Sequence, residues 1–471
     1  MPTLPIQLNG GFYESRTRSL SVQNSTNMYL EFIGENQGST PAALLSWPGK
    51  KAFAASVSAT NRGMFNEPWK NHVYTVNGTS LYKTNSSGTQ ASVGTIPGSA
   101  RCVFAASTSF LYIVTLGKVY RTDGSTVAEV TDGDLEDPDS VAFLNSQLIY
   151  DGDGGRFVVS DAGDGSSINS LNYATAETHF DDLVRVYVFG QLLLLFGDKT
   201  LETWYNSGEG NPPYTRYEGA QRPVGIAGVH CITNTDDAVY FLGDDRTVYR
   251  LDGYNPIQIS TPAINHAIEQ YTTTSDCFAH ALKIEGQFFV IFTFPTEDKT
   301  WCFSQSTGVW IQLSSGVSGG RDLANGHCFA FNKNLVVDKD DGAIYELDVN
   351  TYDDNGATFI RERTTAPAYS GQITESDKEV FYSAVKLVIN SGAGLVTGQG
   401  SDPQVMLSYS DDLGQTWSPE LFRDAGANGA YGQELYWYAL GAAKQRVFRI
   451  RVSDPIEFHL LRMEAEVEIG I

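Results

Sequence analysis

The feature that most restricts the fold of this chain is a strand–turn–strand unit that recurs seven times. In each copy an apolar strand is followed by a short polar turn, usually with glycine, and then by a second strand; the copies span residues 72–82, 110–120, 147–159, 192–204, 238–251, 287–303 and 334–347. Equivalent positions are separated by 38, 37, 44, 47, 49 and 47 residues, counted between Tyr74, Tyr112, Ile149, Leu193, Tyr240, Phe289 and Val336. A period of about 40–50 residues with several strands per unit is typical of a β-propeller.

A further apolar strand precedes most of these hairpins, for example at residues 141–144, 183–189 and 278–282. Each unit therefore holds at least three strands, and four are expected. A single hairpin cannot bury its faces, whereas radial stacking gives each unit a partner and hides most strand edges. We predict an all-β protein in which residues 51–357 form a β-propeller. Seven blades are favoured, and six are the alternative because the first two steps are short.

One helix is predicted to interrupt the strands. Thr261 can cap a first helical turn, and Pro262 suits the first helical position. The residues that follow place Ala263, Ile264 and Ile268 on one apolar stripe. We expect this helix to lie between two blades.

The sequence changes in character after residue 357. Residues 380–389, 404–409, 434–440, 446–452 and 457–468 are predicted strands, several of them clearly alternating, and the propeller period does not continue. We predict that residues 358–471 form a β-sandwich that serves as a docking domain. Residues 1–50 are rich in Gly, Asn and Ser, and we predict an extended N-terminal arm that leads into the first blade.

The net charge of the chain restricts the kinds of partner that it can bind. Basic residues number 32 and acidic residues 55, which gives a formal net charge of −23; residues 358–471 contribute −5 and the first 357 residues −18. Proteins that grip nucleic acid need an excess of Lys and Arg to displace counterions from the phosphates. This chain has no such excess, which excludes tight binding of nucleic acid but is consistent with a surface that repels DNA.

Cysteine usage and the N-terminus indicate a cytoplasmic site of assembly. The chain has five cysteines, an odd number without close pairing, which favours free thiols in a reducing compartment. Residues 1–7 contain neither a basic nor an apolar segment, so we expect no export signal. No run of 18 apolar residues occurs, so we predict no membrane span.

One motif, S-x-D-x-G-x-T-W, is formed by Ser410, Asp412, Gly414, Thr416 and Trp417. It resembles the Asp-box of sialidases and other β proteins. In such a turn the Asp side chain bonds backbone amides, Gly adopts a positive φ, and Trp packs beneath the hairpin. In sialidases the motif repeats around the propeller, away from the chemistry. We interpret the single copy here as a structural turn, because it supplies neither a nucleophile nor a catalytic acid.

Asp-rich turns at residues 151–155, 161–165 and 338–342 are candidate calcium sites. An EF-hand loop needs oxygen ligands at positions 1, 3 and 5, Gly at 6 and Glu at 12. In the first and third turns position 5 is Gly155 and Gly342, so neither fits. Asp and Gly also dominate ordinary hairpin turns, which is the interpretation we favour, with calcium binding left open.

Three His–Cys combinations could suggest zinc, namely His230-Cys231, Cys277-x-x-His280 and His327-Cys328. The repeat explains them better, since four cysteines fall in the strand that precedes a hairpin: Cys102, Cys231, Cys277 and Cys328. A small buried residue at one recurring blade position is expected of Cys. The Gly-rich residues 392–398 do not match the G-x-G-x-x-G phosphate motif. We therefore predict no catalytic residue, no metal and no cofactor.

Several stretches of the chain resemble one family. Residues 27–30 (Asn-Met-Tyr-Leu), followed by residues 44–49 (Leu-Leu-Ser-Trp-Pro-Gly), are similar to the N-terminal signature of tail accessory proteins of short-tailed phages, which are also described as packaged DNA stabilisation proteins. Residues 259–264, with Ile268 and Tyr271, are similar to the helix that this family places between blades.

The resemblance continues along the chain. Residues 286–290, a turn through Pro295, Trp301 and residues 307–310 follow the family's strand–turn–strand unit, in which an aromatic-rich strand ends in Trp. Most of the chain is covered in order, including a C-terminal β domain. The Asp-box turn is not part of the family signature.

The resemblance implies a structural protein of the virion tail. Such proteins form a ring, usually a homohexamer, below the head-to-tail adaptor. The ring continues the DNA channel, helps to retain the packaged genome, and offers docking sites to the tail needle and to tailspikes or tail fibres. The implied partners are further copies of the chain, the adaptor, the needle, a spike or fibre, and double-stranded DNA that passes without tight binding.

Two other classes of function remain as alternatives. One is a propeller glycan-binding module of a phage tail, and the other is a sialidase-like glycoside hydrolase. An enzyme should gather Arg and carboxylate side chains on the propeller axis, and a lectin should expose aromatic residues in a shallow pocket. A ring component should show neither feature and should assemble with the adaptor.

Overall fold

The computed structural model describes residues 2–34, 40–67, 70–176, 181–372 and 378–470. Within these residues the chain is almost entirely β-structure, arranged as a propeller followed by a sandwich. Seven four-stranded antiparallel sheets follow one another around the propeller, and we number them as blades 1 to 7. The all-β prediction of a propeller followed by a sandwich is confirmed.

The strands of the first four blades run in chain order from one side of each blade to the other. Blade 1 comprises Asn61–Glu67, His72–Asn77, Ser80–Thr84 and Gln90–Thr95; blade 2 comprises Val103–Ala106, Leu111–Thr115, Lys118–Thr122 and Val127–Val130. Blade 3 comprises Val141–Leu144, Gln147–Asp151, Arg156–Asp161 and Asp164–Thr175; blade 4 comprises Leu183–Phe189, Leu192–Gly197, Leu201–Asn206 and Tyr214–Arg216.

The remaining blades repeat this plan, except that the last strand of blade 7 comes from the N-terminal region. Blade 5 comprises Ile232–Asn234, Val239–Leu242, Val248–Asp252 and Asn255–Gln258; blade 6 comprises Phe278–Ile284, Gln287–Phe294, Lys299–Ser304 and Trp310–Ser315. Blade 7 comprises Ala324–Ala330, Lys333–Asp338, Ile344–Asp348 and Gly49–Ala54. Every hairpin found in the sequence forms the second and third strands of a blade.

The first strand of each blade lies nearest the axis, where it contacts the first strand of a neighbouring blade, and blade 7 returns to blade 1. The core lies between the blades. Between blades 4 and 5, for example, the rings of Phe196 and Phe241 meet edge to face with centroids 5.0 Å apart. The strand Gly49–Ala54 closes the ring by pairing with Ile344–Asp348.

The α-helix among the described residues is Pro262–Glu269, between blades 5 and 6. As predicted, Thr261 caps it: the Thr261 hydroxyl accepts a hydrogen bond from the Ile264 amide at 3.3 Å, and Pro262 occupies the first turn. Two short 3₁₀ turns occur at Asp153–Gly155 and Ser370–Gln372. None of the helices in the described ranges is long and apolar enough to cross a membrane.

The sandwich has two sheets. Sheet 1 contains Met28–Phe32, Ala42–Ser46, Leu460–Ile469, Val380–Ile389 and Glu434–Tyr438 in this order, with Thr3–Ile6 and Ala442–Ala443 paired at its margins. Sheet 2 contains Val22–Thr26, Arg361–Thr364, Gln445–Val452, Gln404–Ser410 and Leu421–Asp424 in this order, with Tyr13–Glu14 and Ala368–Tyr369 paired at its margins. One further short strand, Gly320–Arg321, pairs with the last strand of blade 6.

The N-terminal region differs from the extended arm predicted for residues 1–50. It supplies the strands Thr3–Ile6, Met28–Phe32 and Ala42–Ser46 to sheet 1, and Val22–Thr26 to sheet 2. These strands are short, and Thr3–Ile6 and Val22–Thr26 pair with strands hundreds of positions away, so the pattern of local sequence does not reveal their role. The strands between residues 3 and 46 are thus an integral part of the sandwich, whereas Gly49–Ala54 belongs to blade 7.

Sheet 2 is continuous with blade 6. The strand Val22–Thr26 pairs on one side with Arg361–Thr364 and on the other with Trp310–Ser315, through Thr26 and Gln312. Backbone hydrogen bonds therefore run without interruption from the propeller into the sandwich. The ladder between Val22–Thr26 and Trp310–Ser315 consists of one residue pair, and the Asn27 backbone amide, which donates to the Gln312 carbonyl at 2.9 Å, adds to it.

Candidate functional site: domain seam, propeller axis and sandwich face

The domain seam is organised by Asn27, which is fully buried and has a left-handed backbone with φ 55°. Its side-chain amide donates to the Ser314 carbonyl at 2.9 Å and to the Ile360 carbonyl at 2.8 Å, and its side-chain oxygen accepts from the Ser314 amide at 3.0 Å. Ser314 belongs to blade 6, and Ile360 immediately precedes sheet 2. One side chain therefore holds the propeller against the start of the sandwich.

A buried arginine extends the seam. The Arg363 guanidinium donates to the Gly11 and Asn24 carbonyls at 2.9 and 3.1 Å and to the Gln23 side-chain oxygen at 2.6 Å. Burial lowers the pKa of Arg363 to about 9, so it remains mostly charged at neutral pH. Since its acceptors all come from the N-terminal region, Arg363 fixes that region onto sheet 2.

The motif around Asp412 forms a tight turn after Gln404–Ser410. The Asp412 carboxylate accepts from the Gln415 and Thr416 amides at 2.9 and 2.8 Å, and from the Ser410 and Thr416 hydroxyls at 2.7 and 2.5 Å. These hydrogen bonds, led by that of the Thr416 hydroxyl, hold the pKa of Asp412 well below its usual range. Gly414 has φ 79°. Every bond of the carboxylate satisfies the turn itself, and we propose that its role is structural.

Trp417, the last residue of the motif, packs with Val22, Leu413 and Val447. The Arg449 guanidinium lies over its ring at 4.2 Å. Val22 belongs to the strand that joins sheet 2 to blade 6. The turn therefore supports the same sheet that connects the two domains.

The Asp-rich turns lie at separate hairpins of the propeller. Residues 151–155 follow the second strand of blade 3, residues 161–165 connect its last two strands, and residues 338–342 connect the middle strands of blade 7. In the last turn, Asp338 and Asp341 accept from turn amides at 2.8 Å. Across the described part of the chain, no three His, Cys, Asp or Glu side chains are grouped so that they could hold a metal ion.

The five cysteines are all free and buried. Cys102, Cys231 and Cys277 each immediately precede the first strand of a blade, whereas Cys328 lies within that strand, so the predicted common position holds for three of the four. Burial raises the pKa of the Cys102, Cys277 and Cys328 thiols. Such thiols are not reactive nucleophiles.

Two cavities mark the ends of the propeller axis. One, of about 380 Å³, lies where the inner strands begin, and its lining includes Arg101, Thr115, Asp139, His230, Ser275 and Asp276. The other, of about 300 Å³, lies where inner strands end, and its lining includes Asn234, Lys283, His327 and Phe329. We call them the entry cavity and the exit cavity.

A column of stacked side chains connects the cavities. The Arg101 guanidinium lies 3.7 Å from the centroid of the Phe278 ring, Phe278 stacks on His280 at 6.4 Å, and His280 stacks on His327 at 5.8 Å. Burial lowers the pKa of His280 well below its usual value and that of His327 to about 4. Both imidazoles are therefore neutral at neutral pH, and the axis has no continuous column of positive charge.

Sequence reasoning did not identify Arg101 or Arg185 as axial residues. It noted His230, His280 and His327 only as possible zinc ligands.

The outer face of sheet 1 exposes aromatic side chains. Phe381 and Tyr438 are 45% and 66% exposed, and the Tyr436 and Tyr438 rings stack nearly parallel, 5.9 Å apart. Their sequence neighbours Tyr382 and Trp437 point into the core. We call Phe381, Tyr436 and Tyr438 the aromatic strip.

Charged groups border the aromatic strip. Lys386 forms ion pairs with Glu434 at 2.8 Å and Glu464 at 3.8 Å. Glu466 and Glu468 are exposed on the neighbouring strand. An exposed aromatic strip with a charged border has the composition of a protein-binding surface rather than of a catalytic cleft.

A propeller and a sandwich that share one sheet and expose an aromatic strip define a two-domain β scaffold protein. The comparison with family models identifies the particular scaffold. The chain belongs to the Bacteriophage P22 Gp10 family, whose β-propeller model matches residues 3–352 and whose β-sandwich model matches residues 368–468. The resemblance described from the sequence is thereby confirmed, and the chain is a phage tail stabilisation protein.

Solved structures show more distant similarity. They include the WD40 domain of Doa1 (12% identity, covering 63% of this chain and 96% of that one, TM-score 0.41) and the Pan2 WD40 domain of Neurospora crassa (8% identity, 64% and 95%, TM-score 0.42). BamB of Moraxella catarrhalis shares 10% identity over 69% of this chain and 97% of its own, with a TM-score of 0.39. We draw no conclusion about function from similarity at this level. No curated protein matches the chain.

Proposed function

We propose that the protein is a structural component of the phage tail that forms a ring, usually a hexamer in this family, below the head-to-tail adaptor. The ring continues the DNA channel and helps to retain the packaged genome. The observation that carries this proposal is the continuous sheet from blade 6 into sheet 2, because it joins the two domains by backbone pairing. We propose no catalytic role, and we place the protein in the virion tail after assembly in the host cytoplasm.

We further propose that the aromatic strip on sheet 1 docks a tail partner, either the needle, a tailspike or a tail fibre. Aromatic side chains are enriched in protein interfaces, where they supply large rigid contact areas. The strip lies on a sheet face rather than on a loop, so its geometry is fixed before binding. Such preorganisation lowers the entropy lost on association.

Assembly with virion components tests whether the protein forms a ring below the adaptor. Electron microscopy of the purified protein mixed with head and tail components should show added density below the adaptor. The variant Tyr436→Ser/Tyr438→Ser should still join the adaptor but should lose at least tenfold in affinity for the needle, spike or fibre. Leu171→Ser removes a 69% exposed apolar side chain from blade 3 and is the control. Particles without added density, or hydrolysis of a sialoside by the isolated protein, would contradict the proposal.

Binding to DNA is expected to be weak. The net charge of −23 repels phosphates, so DNA should pass the ring without adhering. Fluorescence anisotropy with a 20-base-pair duplex at physiological salt should give a Kd weaker than about 1 µM. A basic DNA-binding protein would bind the same duplex more tightly, because it releases counterions from the phosphates. A micromolar or tighter Kd would argue against a passive channel.

A further inference from the structure

The fold buries one lysine, Lys50, between two carboxylates. Its Nζ atom lies 2.9 Å from Asp322 Oδ2 and 2.9 Å from Asp354 Oδ1, and all three side chains are 5% exposed or less. Every other lysine ion pair in the described ranges includes a side chain in contact with solvent. One amine and two carboxyl groups are therefore held together away from water.

The backbone fixes Lys50 beside Asp354. The Lys50 amide donates to the Asp353 carbonyl at 2.8 Å, and the Asn355 amide donates to the Lys50 carbonyl at 2.8 Å. These two bonds form a parallel β-bridge between Lys50 and Asp354, so the two residues lie side by side on neighbouring stretches of chain. Their side chains are thus oriented toward each other before any reaction between them.

The two carboxylates differ in their other partners. Asp322 Oδ1 accepts a hydrogen bond from the Ala324 amide at 2.7 Å, so both oxygens of Asp322 are bonded. The buried Asp354 Oδ2 atom has no hydrogen-bond partner of standard geometry within the described ranges. Burial raises the pKa of Asp354, and the opposing effects of Lys50 and the Ser315 hydroxyl do not cancel that rise. Asp354 is therefore poorly stabilised as a carboxylate.

Apolar side chains keep water away from the three groups. The centroid of the Phe359 ring lies 5.7 Å from Lys50 Nζ, and Phe359 is buried. Trp47 and Leu313 line a small cavity together with Asp322. A buried apolar setting favours a neutral amine and a neutral carboxyl group over their charged forms, and it hinders hydrolysis of any bond formed between them.

We propose that Lys50 and Asp354 form an intramolecular amide bond between Nζ and Cγ, a covalent modification that locks the propeller closed. The structure shows the three groups before the bond forms, with the Lys50 ammonium charged. Asp322 accepts one proton from the ammonium, and the resulting amine attacks Cγ of Asp354. The proton held by Asp322 and a second proton from the nitrogen pass to Asp354 Oδ2, which leaves as water. Asp322 is again a carboxylate, and no other reactant is consumed.

The geometry supplies what this reaction needs. Well-oriented groups in one molecule react as if their concentration were about 10⁵ to 10⁸ M. Asp322 lies at hydrogen-bond distance from the nitrogen, as a general base must. The bond joins residues 304 positions apart, and it ties the closing strand Gly49–Ala54 to the connection that leads into the sandwich. The modification is independent of the ring and the docking proposed above, since it needs only one folded chain.

Mass spectrometry of the purified, unfolded chain tests the bond. The chain should be lighter than its sequence by one water, and digestion should release a branched peptide in which Lys50 is joined to Asp354. On a denaturing gel the bonded chain contains a closed loop and should migrate faster than Lys50→Met. The full sequence mass, a loss of water without this branched peptide, or a branch at Asp322 would overturn the proposal.

Variants separate the reaction from folding. Lys50→Met removes the amine and should show its full sequence mass whether or not it folds, whereas Lys51→Met should keep the loss of water. Asp322→Asn removes the base, and its folded fraction should contain at least tenfold less bonded chain after the same incubation. Asp348→Asn removes the carboxylate that pairs with Lys51 and should match the wild type. Equal bonded fractions in Asp322→Asn and the wild type, or a loss of water that persists in Lys50→Met, contradict the proposal.

Discussion

Replacing Lys50 with methionine is expected to lower the free energy of unfolding by about 3 to 5 kcal/mol, as measured by urea denaturation. Lys50 is 1% exposed, and its ammonium group lies 2.9 Å from both Asp322 and Asp354. Burial alone would lower the pKa of Lys50, but the two carboxylates together raise it, so the ammonium stays charged. Methionine leaves two buried carboxylates without a cation.

The position of Lys50 explains why the loss should spread beyond one contact. Lys50 belongs to the closing strand Gly49–Ala54, Asp322 precedes the inner strand of blade 7, and Asp354 lies in the connection to the sandwich. The ion triad therefore fastens the strand that closes the ring. Weakening it frees both the last blade and the N-terminal strands of the sandwich.

Lys51 provides the matched control for this prediction. It is the next residue on the same strand, its side chain is 59% exposed, and it pairs with Asp348 at 3.6 Å. Exposed pairs contribute about 0 to 1 kcal/mol, so Lys51→Met should be nearly neutral. The triple variant Lys50→Met/Asp322→Asn/Asp354→Asn should recover part of the loss. Equal effects of Lys50→Met and Lys51→Met would show that the triad does not stabilise closure.

The propeller was predictable because its signal is repeated and local. Each hairpin holds its apolar strands and its polar turn, usually with glycine, within one short stretch of chain, and seven copies reinforce one another. The helix was also predictable, since Thr261 and Pro262 mark its start and Ile264 and Ile268 mark its buried face. Local sequence patterns therefore predict those elements whose stabilising contacts join residues close in sequence.

The N-terminal strands were not predictable by the same rules. Thr3–Ile6 is only four residues long and pairs with Leu460–Ile469, and Val22–Thr26 acquires its role from strands of both domains. Their partners are hundreds of residues away, so nothing nearby distinguishes them from an extended arm. The resemblance at residues 27–30 and 44–49 marked this region as important without showing that it forms the seam.

The arrangement of residues at the propeller axis could not be predicted from the sequence for a different reason. His230, His280 and His327 lie in or beside three different blades, and the packing of blade 6 against blade 7 brings the rings of His280 and His327 to 5.8 Å. Sequence could not show that Arg101 lies over the Phe278 ring, because these two residues come from distant parts of the chain.

Replacing Asn27 with glycine is expected to lower the free energy of unfolding by about 3 to 5 kcal/mol, again measured by urea denaturation. Glycine preserves the left-handed backbone but leaves the Ser314 amide and the Ser314 and Ile360 carbonyls without their buried partners. Each unsatisfied buried group costs about 1 to 3 kcal/mol. Asn27→Ala should lose about 1 kcal/mol more, since a side chain with a Cβ is strained at φ 55°.

Asn332→Gly is the control that separates the loss of the Asn27 hydrogen bonds from the introduction of glycine at a left-handed backbone position. Asn332 has φ 60° and is exposed in a hairpin turn of blade 7. Asn332→Gly should therefore change stability by less than about 0.5 kcal/mol, because a surface change that removes no buried partner is usually small. Calorimetry adds a second readout: if Asn27 couples the domains, Asn27→Gly should separate the melting of propeller and sandwich further than Asn332→Gly does. Identical thermograms for the two variants would mean that the shared sheet alone holds the seam, and that the Asn27 side chain contributes nothing to its rigidity.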